Sequence, residues 1–202
     1  CEFLDFPVVS GNVSFYNGTN KKNIFPTPVI GSVGLISDIS KTLNHHYKGE
    51  DNEILLIGKT FGHIEQSCFL KENFSISEGL PPEVNLSNEK NNGETILKLI
   101  RKNLVLSAHD VSNGGLLVAL SEMSIGSHFG AKILKPKKLT NLFEYFFGED
   151  QGRYIIEINK SNLKKVCKIL SDDNIYYENI GKTQNKYFEV DGEFNIDINE
   201  LF

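Results

Sequence analysis

Short runs of apolar residues, separated by polar segments that contain glycine, recur along this chain. The runs with the length of buried strands lie at residues 3–9, 29–36, 53–58, 104–108 and 154–158. Helices are predicted at 94–102, where Ile96, Leu99 and Ile100 have helical spacing, and over the apolar stretch 116–124. The order of strand, glycine-rich turn and helix around residues 104–124 is an α/β signal.

The C-terminal part of the chain continues this mixture. Ser161 is a candidate N-cap for a helix that extends to about Leu170. A pair of strands and a tight hairpin turn are predicted at residues 177–183, 187–190 and Asp191-Gly192. The polar stretch 71–93 predicts a loop. These elements predict an α+β fold, with a mixed β-sheet and helices mainly on one face.

Composition narrows the class of protein. The 202 residues carry a net charge of −5, which argues against a nucleic-acid binder, and no apolar run approaches the length of a membrane span. Three widely separated cysteines form neither a disulfide framework nor a zinc motif, so a cytoplasmic location is expected. The chain lacks an initiator methionine and begins inside an apolar run, which we interpret as part of a longer polypeptide.

The first candidate site is the sequence SGNVSFYN, which follows the first predicted strand. Gly11 allows a ligand to approach the backbone closely, and the side-chain carbonyl of Asn12 is a hard oxygen ligand suited to Mg²⁺. The hydroxyl of Ser14 can donate a hydrogen bond to a phosphate or an amide. A hydrogen-bonded turn after a strand is the alternative interpretation.

The second candidate site is the sequence HDVSNGG, between a predicted strand and a predicted helix. Asp110 and Ser112 are placed to cap the helix, and Gly114-Gly115 permits close packing between strand and helix. The N-terminus of a helix also attracts anions. Capping and packing alone are the alternative interpretation of the motif.

The third candidate site is the sequence FGEDQGRY, which precedes another predicted strand. Glu149 and Asp150 are potential metal ligands, Gln151 lies beside them, and Arg153 is a potential phosphate ligand. The alternative is a solvated turn with an arginine–carboxylate pair.

These sequences resemble the small-type phosphoribosylformylglycinamidine synthases, which are PurM-like enzymes. The resemblance is carried by PVVSGNVSFYN, PTPVIGSVGLI, HDVSNGG and FGED, and it extends over nearly the whole chain. It implies that residues 1–35 end the second PurM-like N-terminal domain and that residues 36–202 form the second PurM-like C-terminal domain. It also implies that Gly11 contacts ATP, Asn12 ligates Mg²⁺ and Ser14 contacts substrate.

For the other two motifs the resemblance implies lesser roles. Asp110 corresponds to a Mg²⁺-binding aspartate in the first half of the enzyme, so that it would belong to a vestigial or auxiliary metal site. Glu149, Asp150 and Gln151 correspond to a loop that touches substrate in the first-half copy.

The implied reaction joins formylglycinamide ribonucleotide and glutamine-derived ammonia with consumption of ATP, giving formylglycinamidine ribonucleotide. The implied partners are a glutaminase subunit, a small bridging subunit and the N-terminal half of the same chain. A self-dimer is a further hypothesis, and these residues alone are expected to be catalytically inert. The alternatives are another PurM-like ATP-dependent enzyme, of the aminoimidazole ribonucleotide synthase or selenophosphate synthetase type, and a non-catalytic nucleotide-binding or scaffold module.

Overall fold

The computed structural model describes residues 1–13, 17–24, 27–136 and 141–201, and the chain divides into two units, Cys1–Thr42 and Leu43–Phe202. The first unit contains little regular structure. It has 3₁₀ turns at Glu2–Leu4 and Ile39–Lys41 and a short antiparallel hairpin. The hairpin strands are β1 (Gly18–Thr19) and β2 (Lys22–Asn23).

The strands predicted at 3–9 and 29–36 do not form within this unit. Val9, Val29 and Val33 have 91%, 92% and 99% of their surface exposed, so these apolar runs do not form a buried core here. A strand needs a neighbour that accepts and donates its backbone hydrogen bonds. The division after Thr42 does not bear on the boundary predicted at 35/36, which concerns the domains of the family and stays a prediction.

The second unit is built on a seven-stranded mixed sheet. Its strands are β3 (Glu53–Ile57), β4 (Ser107–Asp110), β5 (Phe129–Ile133), β6 (Tyr154–Ile158), β7 (Tyr177–Asn185), β8 (Tyr187–Val190) and β9 (Phe194–Asp197). Its helices are α1 (Cys68–Phe74), α2 (Leu86–Arg101), α3 (Gly115–Ser124), α4 (Leu142–Phe147) and α5 (Leu163–Asp172). The strand order is β4-β6-β3-β7-β5-β8-β9, in which β5 and β8 are parallel and the other neighbours antiparallel.

Helices cover both faces of this sheet. Alternate residues of β3 point to opposite faces, so that Ile54 and Leu56 join one apolar cluster and Leu55 and Ile57 join another. The first cluster contains residues of α3 and α4, and the second contains residues of α2 and α5. The mixed sheet is confirmed, but the helices are not mainly on one face, because β3 and β6 are apolar on both sides.

Several local predictions need correction. The strands β7 and β8 are not paired with each other, because β5 lies between them in the sheet. Helix α2 begins at Leu86, inside the predicted loop, and is capped by the side chain of Asn85. Ser161 caps nothing, since the side chain of Asn159 accepts from its amide in a 3₁₀ turn before α5. The hairpin turn at Asp191-Gly192 joins β8 to β9, as predicted.

The region 104–124 follows the prediction closely. The strand is displaced towards the C-terminus and covers Ser107–Asp110, while Leu104 and Val105 are buried just before it. Helix α3 agrees with the predicted helix to within one residue. No described helix has both the length and the apolar character needed to cross a membrane.

Candidate functional site

The candidate site lies where the ends of three neighbouring strands meet. Tyr154, the first residue of β6, is paired with Asp110 at the end of β4 and with Ile57 at the end of β3. The turn after β4, the segment 58–63 after β3 and the loop 148–153 before β6 therefore converge. The sheet register brings the second and third motifs together, although 31 residues of chain (116–146) separate them.

Asp150 connects the loop 148–153 to the segment after β3. One carboxylate oxygen, Oδ2, accepts hydrogen bonds from the amides of Phe61 and Gly62 at 2.9 Å each, and Oδ1 accepts from the amide of His63 at 3.2 Å. Only 4% of the Asp150 surface is exposed. The described hydrogen bonds to this carboxylate thus all come from backbone amides of the chain itself.

Arg153 lies beneath the same loop and has no exposed side-chain surface. Its Nη1 lies 3.9 Å from Oδ2 of Asp150, and its Nη2 donates to the carbonyl of Gly148 at 2.6 Å. Burial lowers the pKa of the guanidinium, and the charge of Asp150 opposes that shift. The predicted arginine–carboxylate pair is present, but it is a buried pair rather than a solvated turn.

Glu149 connects the starts of two helices. Its Oε1 accepts hydrogen bonds from the amides of Cys68 and Gly114, each at 2.8 Å, at the N-termini of α1 and α3. The predicted caps on α3 are therefore wrong: Gly114 is the N-cap and makes no side-chain cap, and the carboxylate comes from Glu149 instead. This acceptor is distant in sequence, so the motif itself gave no sign of it.

Gly115 explains why the turn carries two glycines. Its φ is +75°, and a methyl group there would lie 2.7 Å from the carbonyl carbon of Phe147 and from the carbonyl oxygen of Gly148. A side chain would therefore clash with backbone in a conformation that already favours glycine. The sequence predicted close packing between strand and helix, but the segment that approaches Gly115 closely is the end of α4 and the start of the loop 148–153.

Asp110 is the most solvent-accessible carboxylate of the three motifs, with 65% of its side chain exposed. It lies 3.3 Å from Nδ1 of His109, whose Nε2 is 3.2 Å from Glu122. Asp110 and His109 border a cleft of about 320 Å³ that is also lined by His45 and Tyr154. An exposed carboxylate at the rim of a cleft is available to a cation or a polar ligand.

The imidazole of His45 packs against two others, a grouping that sequence reasoning missed. Its ring centroid lies 4.2 Å from that of His46 and 4.9 Å from that of His109. Burial lowers the pKa of His45, and the two neighbouring histidines lower it further. The contact depends on a backbone hydrogen bond from Ala108 to Asn44, which no local pattern indicates.

Gln151 lies in a second cleft, of about 290 Å³. Its neighbours there are Phe61, His63, Glu83, Asn85, Asn88 and Asp150. Gln151 is exposed, and its amide donates to the carbonyl of Glu149 at 3.4 Å. Of the three candidate residues in this loop, it is the one that faces solvent.

The first motif lies in the unit Cys1–Thr42. Gly11 and Asn12 are exposed, and apart from its two chain neighbours no described residue has an atom within 4 Å of a Cβ built on Gly11, so the backbone there is open to approach. Ser14 lies outside the described residues. Sequence reasoning placed these residues after a buried strand, and the described part of this unit contains no such strand.

The described residues contain few groups that could hold a magnesium ion. Among them, no three histidine, cysteine, aspartate or glutamate side chains are grouped so as to hold a metal ion. Asn12 and Asp110 each offer one exposed oxygen ligand, and Mg²⁺ commonly binds one or two protein oxygens together with water and substrate phosphates. Each of these two residues therefore fits a Mg²⁺ site as one ligand, and neither makes a complete site by itself.

Curated proteins of similar sequence carry the name phosphoribosylformylglycinamidine synthase subunit PurL. One from Pelagibacter ubique is 50% identical over 199 residues, 98% of this chain and 27% of that protein. One from Rhodopseudomonas palustris is 41% identical over 201 residues, 100% of this chain and 27% of that protein. The chain thus spans about a quarter (27%) of the length of these relatives, and the resemblance found in its motifs is confirmed over its whole length.

Solved structures of PurL from Thermotoga maritima have the same fold. The complex with FGAR has a TM-score of 0.67 at 16% identity and covers 81% of this chain and 30% of that one. The ATP complex has a TM-score of 0.64 at 14% identity, with 81% and 27% covered. The PurLQS structure has a TM-score of 0.63 at 17% identity, with 81% and 28% covered.

A family model described as AIR synthase related protein, C-terminal domain, matches residues 49–191. The matched range contains β3 to β8, all five helices, and the second and third motifs. The PurM-like fold predicted from the sequence is thereby confirmed. The chain belongs to the AIR synthase-related family, whose C-terminal domain it contains.

Proposed function

We propose that this chain forms the C-terminal part of a phosphoribosylformylglycinamidine synthase. The enzyme would join formylglycinamide ribonucleotide with ammonia at the expense of ATP, as a ligase of purine biosynthesis in the cytoplasm. The observation that carries the proposal is the 50% identity to a PurL subunit over 98% of this chain. Thermotoga maritima PurL, which shares the fold, has been solved with ATP and with FGAR.

The proposed roles of the first motif follow the family resemblance. Gly11 would contact ATP, Asn12 would ligate Mg²⁺ and Ser14 would contact the ribonucleotide. Their support is the open backbone at Gly11 and the exposed amide at Asn12. A bound Mg²⁺ would neutralise charge on the transferred phosphoryl group, while the chain's own part is to hold the ligands in position.

The proposed roles of the other motifs differ from one another. Asp110 remains a candidate ligand for an auxiliary Mg²⁺, because its carboxylate is exposed at a cleft. Glu149 and Asp150 would act by holding the loop, because their carboxylates accept hydrogen bonds from backbone amides. Gln151 would be the residue of this loop that is available to a ligand, since it is exposed in its own cleft.

We further propose that the chain works with a glutaminase subunit and a small bridging subunit, in keeping with the PurLQS structure of the Thermotoga maritima protein. The remaining domains of the synthase would complete the active site. A self-dimer of this chain is the additional hypothesis. Size-exclusion chromatography with light scattering tests it directly, since a monomeric mass at all concentrations would reject it.

A chimera tests the proposed activity. The matching region of Pelagibacter ubique PurL is replaced by this chain, and ATP- and ammonia-dependent product formation is measured. The chimera should be active, and Asn12→Ala should lower activity by about 10–100-fold, as is common for residues around a metal. A folded chimera without activity, beside an active parent, would overturn the proposal. Glu72→Ala, on exposed α1 surface, serves as the matched control.

Calorimetric titration assigns the nucleotide site. Mg²⁺–ATP and Mg²⁺–ADP are titrated into this chain and into its Asn12→Ala and Asp110→Ala variants. Binding that is lost only in Asp110→Ala would place an independent nucleotide site in the unit Leu43–Phe202. Binding lost only in Asn12→Ala would support the role proposed for the first motif, and no binding by any protein would mean that the site needs further parts of the synthase.

A further inference from the structure

The segment 61–63 presents three consecutive backbone amides to one point. All three donate to the carboxylate of Asp150, at 2.9, 2.9 and 3.2 Å. Gly62 adopts a φ of +78°, which turns the chain so that these amides converge. Consecutive amides arranged around a concave turn form an anion-binding nest of the kind found at phosphate sites.

A buried cation completes the surroundings of this point. The Arg153 side chain has no exposed surface, and its Nη1 lies 3.9 Å from Oδ2 of Asp150. Its other described hydrogen bonds go to neutral oxygens, those of Asp150 O, Gly148 O and Thr60 Oγ1. The Asp150 carboxylate is therefore the described anion closest to a guanidinium that would be costly to bury unpaired.

We propose that the amides of residues 61–63 and the guanidinium of Arg153 form an oxyanion pocket that the chain fills with its own Asp150. The pocket has the donors of a phosphate or carboxylate site, and the internal carboxylate closes it to external anions. This assignment is independent of the proposed synthase activity, since it concerns an anion site that no substrate enters in the native chain.

Glu149 supports the same interpretation at the next residue. Its Oε1 receives the amides of Cys68 and Gly114, from two segments that are distant from the loop and from each other. Two adjacent carboxylates thus bind five backbone amides in three segments of the chain. The acidic pair acts as an internal anion lock, whereas Asp110, the third acidic candidate of these two motifs, stays exposed.

Chemical rescue tests the pocket. Asp150→Ala removes the carboxylate but keeps Cβ, so formate matches the missing group. Thermal unfolding of the variant is followed in sodium formate and in sodium chloride at equal ionic strength. Its midpoint should lie below that of the native chain and should rise saturably with formate, by about 3–5 °C at ten times the dissociation constant. Equal effects of the two salts would overturn the proposal.

Two controls make the result specific. Asp173→Ala removes a partly exposed carboxylate that pairs with Lys98, and formate should give it no more stability than chloride does. In the native chain, inorganic phosphate should leave the amide resonances of Phe61, Gly62 and His63 unchanged. Saturable shifts of those resonances would show an open pocket and overturn the proposal. If Asp150→Ala folds in neither salt, the phosphate titration of the native chain is the deciding test.

Discussion

Glu157 offers the sharpest test of how the sheet is held to the segment before it. This residue of β6 has no exposed surface. Its carboxylate accepts from the amide of Lys48 at 3.0 Å to each oxygen, from Nδ2 of Asn52 at 2.7 Å and from Oγ of Ser107 at 2.8 Å. The donors come from two different segments, so one buried anion joins residues 48–52 to β4 and β6.

Replacing this anion should be costly even with an apolar residue of similar size. Burying a carboxylate is itself unfavourable, and substituting a whole buried ion pair by apolar residues is often neutral. The described hydrogen-bond partners of Glu157 are neutral donors, however, and Glu157→Leu leaves each of them without its acceptor. The buried donors of Asn52 and Ser107 at about 1–3 kcal/mol each, with a smaller cost for the part-buried amide of Lys48 and less the relief of burying no charge, give a net loss of about 2–5 kcal/mol.

The assay is urea unfolding followed by circular dichroism, because the chain contains no tryptophan. Hydrogen exchange of the Lys48 amide reports the local contact, and its protection should fall in Glu157→Leu. The matched control is Glu189→Leu, whose carboxylate lies 2.7 Å from Nζ of a half-exposed Lys132 and should contribute within about 1 kcal/mol. Unfolding of Glu157→Leu within 1 kcal/mol of the native chain, with Lys48 still protected, would refute the reasoning.

The remaining predictions concern backbone geometry and protonation. Gly115→Ala should destabilise the fold by about 1–3 kcal/mol or more, given its φ of +75° and the contacts of 2.7 Å. Gly93→Ala in α2, with the nearest atom 3.7 Å away, should stabilise by about 0.5–1 kcal/mol; urea unfolding compares the two, and equal effects would contradict the geometry. The pKa of His45 is lower in the folded chain than in the unfolded chain, where it is about 6.5. The contribution of the neutral imidazole to the free energy of unfolding is therefore complete above that unfolded pKa, and it should be lost as the pH falls from there towards the folded pKa. Imidazole titration by NMR checks the direction, and His45→Gln should reduce the loss.

The parts of the fold that the sequence predicted are those encoded within single segments. The strands β3 and β6 are apolar at every position or nearly so, and they lie in the middle of the sheet with both faces covered. Helix α3 follows a glycine-rich turn and is apolar over most of its length. In each case the residues that make the pattern are the residues that are buried.

The failures occur where a distant segment decides the structure. The apolar runs 3–9 and 29–36 have no strand partner among the described residues of the unit Cys1–Thr42, so their β-propensity is not expressed there. The N-terminal half of α2 has polar residues typical of a loop. Within it, Asn92 is only 7% exposed, and its amide donates to the carbonyl of Gly152 at 2.8 Å, 60 residues away. From the sequence alone, an asparagine such as Asn92 predicts a turn, because the distant carbonyl that accepts from its side chain cannot be identified.

The same principle decides which acidic residue is available for chemistry. Residue type made Asp110, Glu149 and Asp150 equal candidates for metal or phosphate sites, because each follows or precedes a strand in a glycine-containing turn. The amides that bind Asp150 lie 87 to 89 residues away in sequence, and those that bind Glu149 lie 81 and 35 residues away. Local sequence contains none of these donors. A carboxylate whose oxygens already accept backbone amides is a poor ligand for a second cation, so metal titrations of this domain should start from Asp110, which is 65% exposed.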